Sequence, residues 1–399
     1  MPKGLLIAGG ILIAAVAASF FFRPGAGGSG AGAGPGVGIA SKVEPKWTYD
    51  THEQISGALA LADNGTIYAV GQVGDLFALN PDGTVAWTFR TGPVADSPVI
   101  GPDGAIYVTT LGGRVVAINS NGTQRWDQPI DTVANYDQAG GAIDGTSYYT
   151  AGRHGLISVS LDSGEKRWET ALPFAQDGSP EILRNGLIIY PGHGRMNAID
   201  SSGTPHWSYP NISPEDTAKN GGWPRPGDAG FNSGFAVGPD GTIYAATVNS
   251  RVVAVGQDQQ LRWEFKTRLG NRAAPVVASD GTVYCGSGDG TLYAFDPAGN
   301  VKWQLQLQGS LDASPVLAED GTIYVLGTEF AAVSADGKKL WSFRTNAAAT
   351  SSPTLAPDGT VYFATMQGVV MAVAGNGGGL MSSSWPKFQH DLRNSGAVK

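Results

Sequence analysis

The chain is 399 residues long, with 58 glycines, 15% charged residues and a formal net charge of −8. That acidic balance argues against a nucleic-acid surface or a face that binds anionic lipid. Cys285 is the one cysteine, which excludes an intrachain disulfide and a cysteine metal site.

From the amino terminus, residues 5–22 (LLIAGGILIAAVAASFFF) carry no charge. As a helix they would run ~27 Å at 1.5 Å per residue, close to the ~30 Å core of a bilayer. Residues 1–23 are therefore expected to be a signal-anchor or a signal peptide. No cysteine follows the apolar run, which removes lipoprotein anchoring. Residues 24–42, rich in Gly, Ala and Pro, read as a flexible linker. Beyond them an Asn-Gly or Asp-Gly pair recurs eight times, with its glycine at 65, 104, 145, 186, 241, 281, 321 and 359. Apart from one interval of 55, the spacings are 38 to 41 residues. A fixed period near 40 marks a repeat architecture. Each pair suits a tight hairpin turn with positive φ at both central residues, and the flanks read as strands.

A second turn follows about 18 residues later in each unit, and a third lies between the two. Three turns join four short antiparallel strands, which is one propeller blade. Four residues after the second turn comes a tryptophan: Trp87, Trp126, Trp168, Trp207, Trp263, Trp303 and Trp341. Alanines at matched places (Ala78, Ala117, Ala198, Ala254, Ala294, Ala332, Ala372) suggest a large ring packed over a small side chain. Each indole N–H is expected to reach a backbone carbonyl, and each ring to be largely buried. In the fifth unit Gln259 stands where other second turns carry glycine. The eighth unit has Met381 in place of the tryptophan, while Trp47 lies 18 residues before Gly65 as its counterparts do. The strand around Trp47 should therefore complete the last blade and remove the open edge. The expected fold is all-β: a single eight-bladed β-propeller over 43–379, closed by an N-terminal strand, with a C-terminal tail over 380–399.

Units such as SPVLAEDGTIYVLG…AAVSADGKKLWSF and APVVASDGTVYCGSGDGTLYAFDPAGNVKW resemble the PQQ-like (quinoprotein-like) propeller repeat. The resemblance covers about residues 43–379. It implies the propeller fold and allows two kinds of activity, because the family holds dehydrogenases that use pyrroloquinoline quinone and binding scaffolds of the BamB type. The chain looks BamB-like rather than like a full quinoprotein dehydrogenase. It lacks a vicinal cysteine pair, long pocket-building insertions and a recognisable catalytic aspartate. The tail SSSWPKFQHDLRNSG looks like a Trp-Pro-x-Phe segment that usually precedes such propellers, and here it follows.

Candidate chemistry falls on the face opposite the Asp/Asn-Gly turns. Asp96, Asp137, Asp177 and Asp312 cluster near inner-strand starts and could line the axial mouth; oxygen ligands of that kind would suit calcium. Side-chain turns onto nearby backbone N–H groups are the competing reading. His154, His193 and Arg195 lie on third-turn hairpins of adjacent blades. The one long connection, 209–236, carries Trp223, Arg225 and Asp228, and long loops on rigid scaffolds often bind. No zinc spacing, nucleophile elbow or phosphate loop appears. His206 is expected to pack beside a docking tryptophan. Trp223 and Trp385, outside the docking pattern, are the two candidates for stacking a glycan.

The expected function is a non-enzymatic, protein-binding scaffold held at the cytoplasmic membrane with its propeller on the periplasmic or extracellular side. It would be secreted if the signal is cleaved. Envelope proteins are the expected partners, the propeller is expected to be monomeric, and no cofactor is expected. The alternatives are a quinoprotein oxidoreductase using PQQ with calcium and a glycan-binding module.

Overall fold

A computed structural model of the chain describes residues 43–398 apart from 95–96, 131–139, 153–154, 171–177, 193, 211–229, 232, 346 and 348–350. These residues fall in the second of two compact units, 42–399. The apolar stretch 5–22 lies outside the described residues. Among the described residues there is no helix long and apolar enough to cross a membrane.

The architecture is an eight-bladed propeller of four-stranded antiparallel sheets. In the first blade the strands are Ala60–Leu61, Ile67–Val70, Asp75–Leu79 and Val85–Arg90. The two inner and middle strands are wholly buried or nearly so, while the outer strand alternates between half-buried and exposed positions. That gradient follows from packing sheets face to face around an axis, which leaves only the outermost strand wet. The same plan holds in the next six blades. The eighth takes three strands from 354–374 and its outer one from Pro45–Asp50, with Trp47 opposite Ala372. The first and last strands of the ring thus pair in one sheet, and the ring has no open edge.

Seven of the eight Asp/Asn-Gly turns differ from the expected two-residue type; in the third blade Asp144 pairs with Ser147 across a two-residue loop, Gly145 and Thr146. Gly65 has φ +85°, but Asn64 has no positive φ. The Gly65 N–H donates to the Ala62 carbonyl, and the Ala62 N–H to the Thr66 carbonyl. This is a type I turn followed by a left-handed glycine, the three-residue hairpin with a bulge. Its Asn or Asp accepts from the backbone two residues on, as Asn64 does from Thr66 and Asp280 from Thr282. The glycine is needed for the left-handed bulge, and the carboxamide or carboxylate for the N–H of the strand that leaves the turn.

Each tryptophan sits opposite the matched small residue, for example Trp87 opposite Ala78 and Trp303 opposite Ala294. Seven indoles donate to the next blade. Six reach backbone carbonyls, as Trp303 does to Ala335 at 2.9 Å, and Trp341 reaches the Asn376 side chain at 2.7 Å. Burial is less than expected: only Trp126 is buried and the other docking rings are half-buried, because they sit at the wet outer rim. Cys285 is wholly buried, and burial pushes its thiol up to about 12.

Candidate functional site

The axis is the place where the eight innermost strands converge, and small residues line it, Ala58, Ser97, Ser179, Ala274 and Ser314 among them. Their hydroxyls link neighbouring blades: Ser97 Oγ accepts from the Ala58 N–H at 2.8 Å, Ser179 Oγ from Gly140 at 2.6 Å and Ser352 Oγ from Ser314 at 3.0 Å. Small size at these positions is therefore set by close approach and by cross-blade hydrogen bonds.

The carboxyl-terminal tail occupies the axial mouth on the Asp/Asn-Gly face. It enters beside the seventh and sixth blades, where Leu380 bridges Ala318 and Trp385 bridges Val277. It crosses the axis near Phe388 and then follows blades one to four. The N–H groups of Leu61, Ile100, Ile143 and Ile182 donate in turn to the carbonyls of Leu392, Arg393, Ser395 and Gly396. Phe388 packs on Ala58 and Ala274 from opposite sides of the ring. Gln389 Nε2 reaches the Gly141 carbonyl at 2.8 Å. A cleft of about 310 Å³, lined in part by Arg184, Asp391 and Arg393, remains between the tail and the second to fourth blades.

Two charged groups are buried in this plug. Lys387 Nζ donates to the Phe388 carbonyl at 2.7 Å, the Asp391 carbonyl at 2.9 Å and Asn394 Oδ1 at 2.6 Å. Burial lowers its amine to about 8, against the pull of Asp391 and Glu181. Glu181, on the innermost strand of the fourth blade, is also wholly buried, and neither carboxylate oxygen has a hydrogen-bond partner. Burial raises its carboxyl well above the ordinary range, with Lys387 opposing. Sequence reasoning missed both groups. The signal was present: Glu181 stands where the other seven inner strands carry Ala60, Val99, Ala142, Ala236, Val276, Val316 and Thr354, none of them charged.

Of the expected site residues, Asp96, Asp137, His154, Asp177, His193, Trp223, Arg225 and Asp228 lie outside the described residues. Asp312 is half-buried between buried Leu311 and Ala313 on the approach to the seventh inner strand. Arg195 opens the third strand of the fourth blade and lines a cleft of about 340 Å³ with Asn197, His206, Trp207 and Gln259. Arg195 and Asp312 belong to different blades and are not brought together. His206 does not pack as expected: it is exposed and lies 3.2 Å from Asp200. Trp385 is 0% exposed, so it cannot stack a sugar. Among the described residues no group of three or more His, Cys, Asp or Glu could hold a metal ion. Phe388 and Gln389 fill the axis at the level of Ala58, Gly140 and Ala274, so a planar quinone does not fit at that level.

The family described as outer membrane protein assembly factor BamB matches residues 40–184, 113–222 and 192–378. A curated relative, outer membrane protein assembly factor BamB of Burkholderia pseudomallei, is 25% identical over 189 residues, covering 41% of this chain and 49% of that protein. The match thus spans about half the length of that relative. Among solved structures, BamB from Moraxella catarrhalis superposes with a TM-score of 0.67 at 16% identity, over 83% of this chain and 99% of that one. Quinohemoprotein alcohol dehydrogenase from Comamonas testosteroni gives 0.65 at 12% identity, over 84% and 76%. At these identities the structural likenesses speak to fold alone.

Proposed function

The chain belongs to the family described as outer membrane protein assembly factor BamB, and from that premise we propose that it is a non-enzymatic protein-binding scaffold of the cell envelope. In this reading residues 5–22 anchor it to the cytoplasmic membrane, the linker 24–42 spaces it, and the propeller stands on the periplasmic side as a monomer. Its partners are envelope proteins, and it takes no cofactor. The observation that carries the reading is a family match running from residue 40 to 378, through all eight blades. The plugged Asp/Asn-Gly mouth adds to it: with that face occupied by the chain's own tail, partner contacts fall to the opposite face and its long connection. There Trp223 and Arg225 supply the residue types that anchor interfaces.

The test is capture of partners from detergent-solubilised envelopes by the full-length chain. Trp223, Arg225 and Asp228 changed together to alanine should abolish capture with the fold intact. Conservative exchange of Asn64, Asp103 and Asp280 between Asp and Asn should leave capture unchanged. Loss in the second variant with retention in the first places binding on the wrong face. Dye-linked alcohol oxidation that depends on added quinone and calcium would overturn the scaffold reading itself.

A further inference from the structure

We propose that the axial mouth on the Asp/Asn-Gly face is a peptide-binding site, that its ligand is this chain's own segment 380–398, and that the buried Trp385 and Phe388 side chains select it. The proposal stands apart from the scaffold reading, and neither needs the other.

The propeller is complete without the segment. Every blade has its four strands, and the ring is closed at its rim by Pro45–Asp50. The segment follows a run, Gly375 to Gly379, whose Asn376, Gly377 and Gly378 are exposed. What the ring offers at this mouth is a repeated donor. Besides the four N–H groups of blades one to four, Val277 donates to the Trp385 carbonyl at 2.7 Å and Leu317 to the Pro386 carbonyl at 2.9 Å. Six blades thus present backbone N–H groups near the ends of their innermost strands, and a curved peptide satisfies them in order. Backbone pairing of this kind gives affinity, and side-chain pockets give selectivity.

The pockets are built for this sequence. Trp385 is wholly buried, Phe388 fills the axis, and Asn394 Nδ2 reaches the Pro98 carbonyl at 3.0 Å. Lys387 donates all three ammonium protons to acceptors of the segment itself, which holds the segment in the turn that the mouth receives. The Glu181 carboxyl lies against the segment: a Cβ on Gly234 of the fifth blade or on Gly396 of the tail would come within 3.0 Å of its oxygens.

The test keeps the whole chain. A protease recognition sequence is inserted between exposed Gly377 and Gly378, the chain is cut after folding, and a fluorescent synthetic peptide of residues 380–399 is added. The expected result is uptake of the labelled peptide, retained on gel filtration and displaced by unlabelled peptide. A peptide with Phe388→Ala should compete ~100-fold less well, since the ring packs between Ala58 and Ala274. No uptake at all overturns the assignment of a separable ligand, and equal competition by the two peptides overturns selection by the buried side chains.

Discussion

Trp168 and Trp207 occupy the same place in successive blades and do different things. Trp168 donates to the Ser201 carbonyl at 2.9 Å, and its ring lies over Gly203 so closely that a Cβ there would come within 2.8 Å of it. Trp207 faces the fifth blade, where Gln259 replaces the glycine and already carries that Cβ, at φ +64°. Among the described residues Trp207 is the one docking indole whose N–H reaches no acceptor. The ring partner is missing as well. In the other seven blades a tyrosine lies 5.7 to 6.0 Å from the tryptophan, and in the fourth Ile189 takes that register position, in line with Ala198 and Trp207. Most seams therefore close by three local agreements: glycine under the indole, carbonyl at its N–H, tyrosine at its face. The seam between blades four and five has lost two of its residue types and the hydrogen bond, and it is also where the long connection leaves the fourth blade. This seam departs furthest from the regular docking, and blades four and five are joined there by one core cluster that holds Met196, Phe231 and Phe235 and by Asn185 Nδ2 donating to Gln257 Oε1 at 2.9 Å.

The largest effect should come from removing a regular seam altogether. Deleting residues 43–50 takes away the outer strand of the eighth blade together with Trp47, and the exposed edge should cause association or a large drop in melting temperature. A deletion variant that stays monomeric and melts like the parent breaks the closure assignment. Next, Trp303→Ala should cost ~3 kcal/mol, since a ring, a hydrogen bond and cavity filling are lost together. Trp207→Ala should cost ~1 kcal/mol, because its hydrogen bond is already absent. Urea unfolding of both variants reads the contrast, and equal midpoints would remove the distinction between the seams.

Gly299→Gln transplants the irregular turn into a regular seam. The new Cβ would stand 2.5 Å from the Trp263 ring, and the cost should be ~2 kcal/mol with a red-shifted Trp263 emission. The plug supplies a pH-dependent comparison. Burial holds the Glu181 carboxyl above its ordinary 4.5, so the folded chain keeps a proton that the unfolded chain has lost. Its contribution is complete below 4.5 and is lost as pH rises through the folded value. Relative to Glu181→Gln, the parent should lose stability as pH climbs from 4.5. Lys387 has the opposite sign: its amine is lowered to about 8 from 10.5, so stability should rise over that interval, and Lys387→Met should not show the rise. Smallest, and of opposite direction, Gln259→Gly should stabilise by ~1 kcal/mol by relieving a left-handed side chain and letting Trp207 dock. A destabilised Gln259→Gly variant would mean that Gln259 holds the seam in a way its neighbours do not show.

How far the sequence reached differs between rim and axis. Blade number, the Trp47 closure and the tryptophan–alanine register were readable, because turn glycines, strand alternation and the 40-residue period are local preferences repeated eight times. Even the irregular seam was visible as Gln259 in a glycine place. The candidate site was far less readable. Trp385, a candidate for stacking a glycan, is wholly buried; the candidate chemistry was placed on the face opposite the Asp/Asn-Gly turns, while the tail plugs the mouth on the Asp/Asn-Gly side. The bonds responsible join residues far apart in the chain, with Gln389 and Gly141 separated by 248 positions and Arg393 and Asp63 by 330. No period encodes such pairs. By itself, then, the sequence determined the ring, since seven blades are each specified within one repeat and the Trp47 strand supplies the fourth strand of the eighth. Tertiary structure alone decided what fills the axis. Only when eight inner strands converge do their free N–H groups, the Ala58 and Ala274 walls and the Glu181 carboxylate come to face one another, and only that convergence makes a place for the tail.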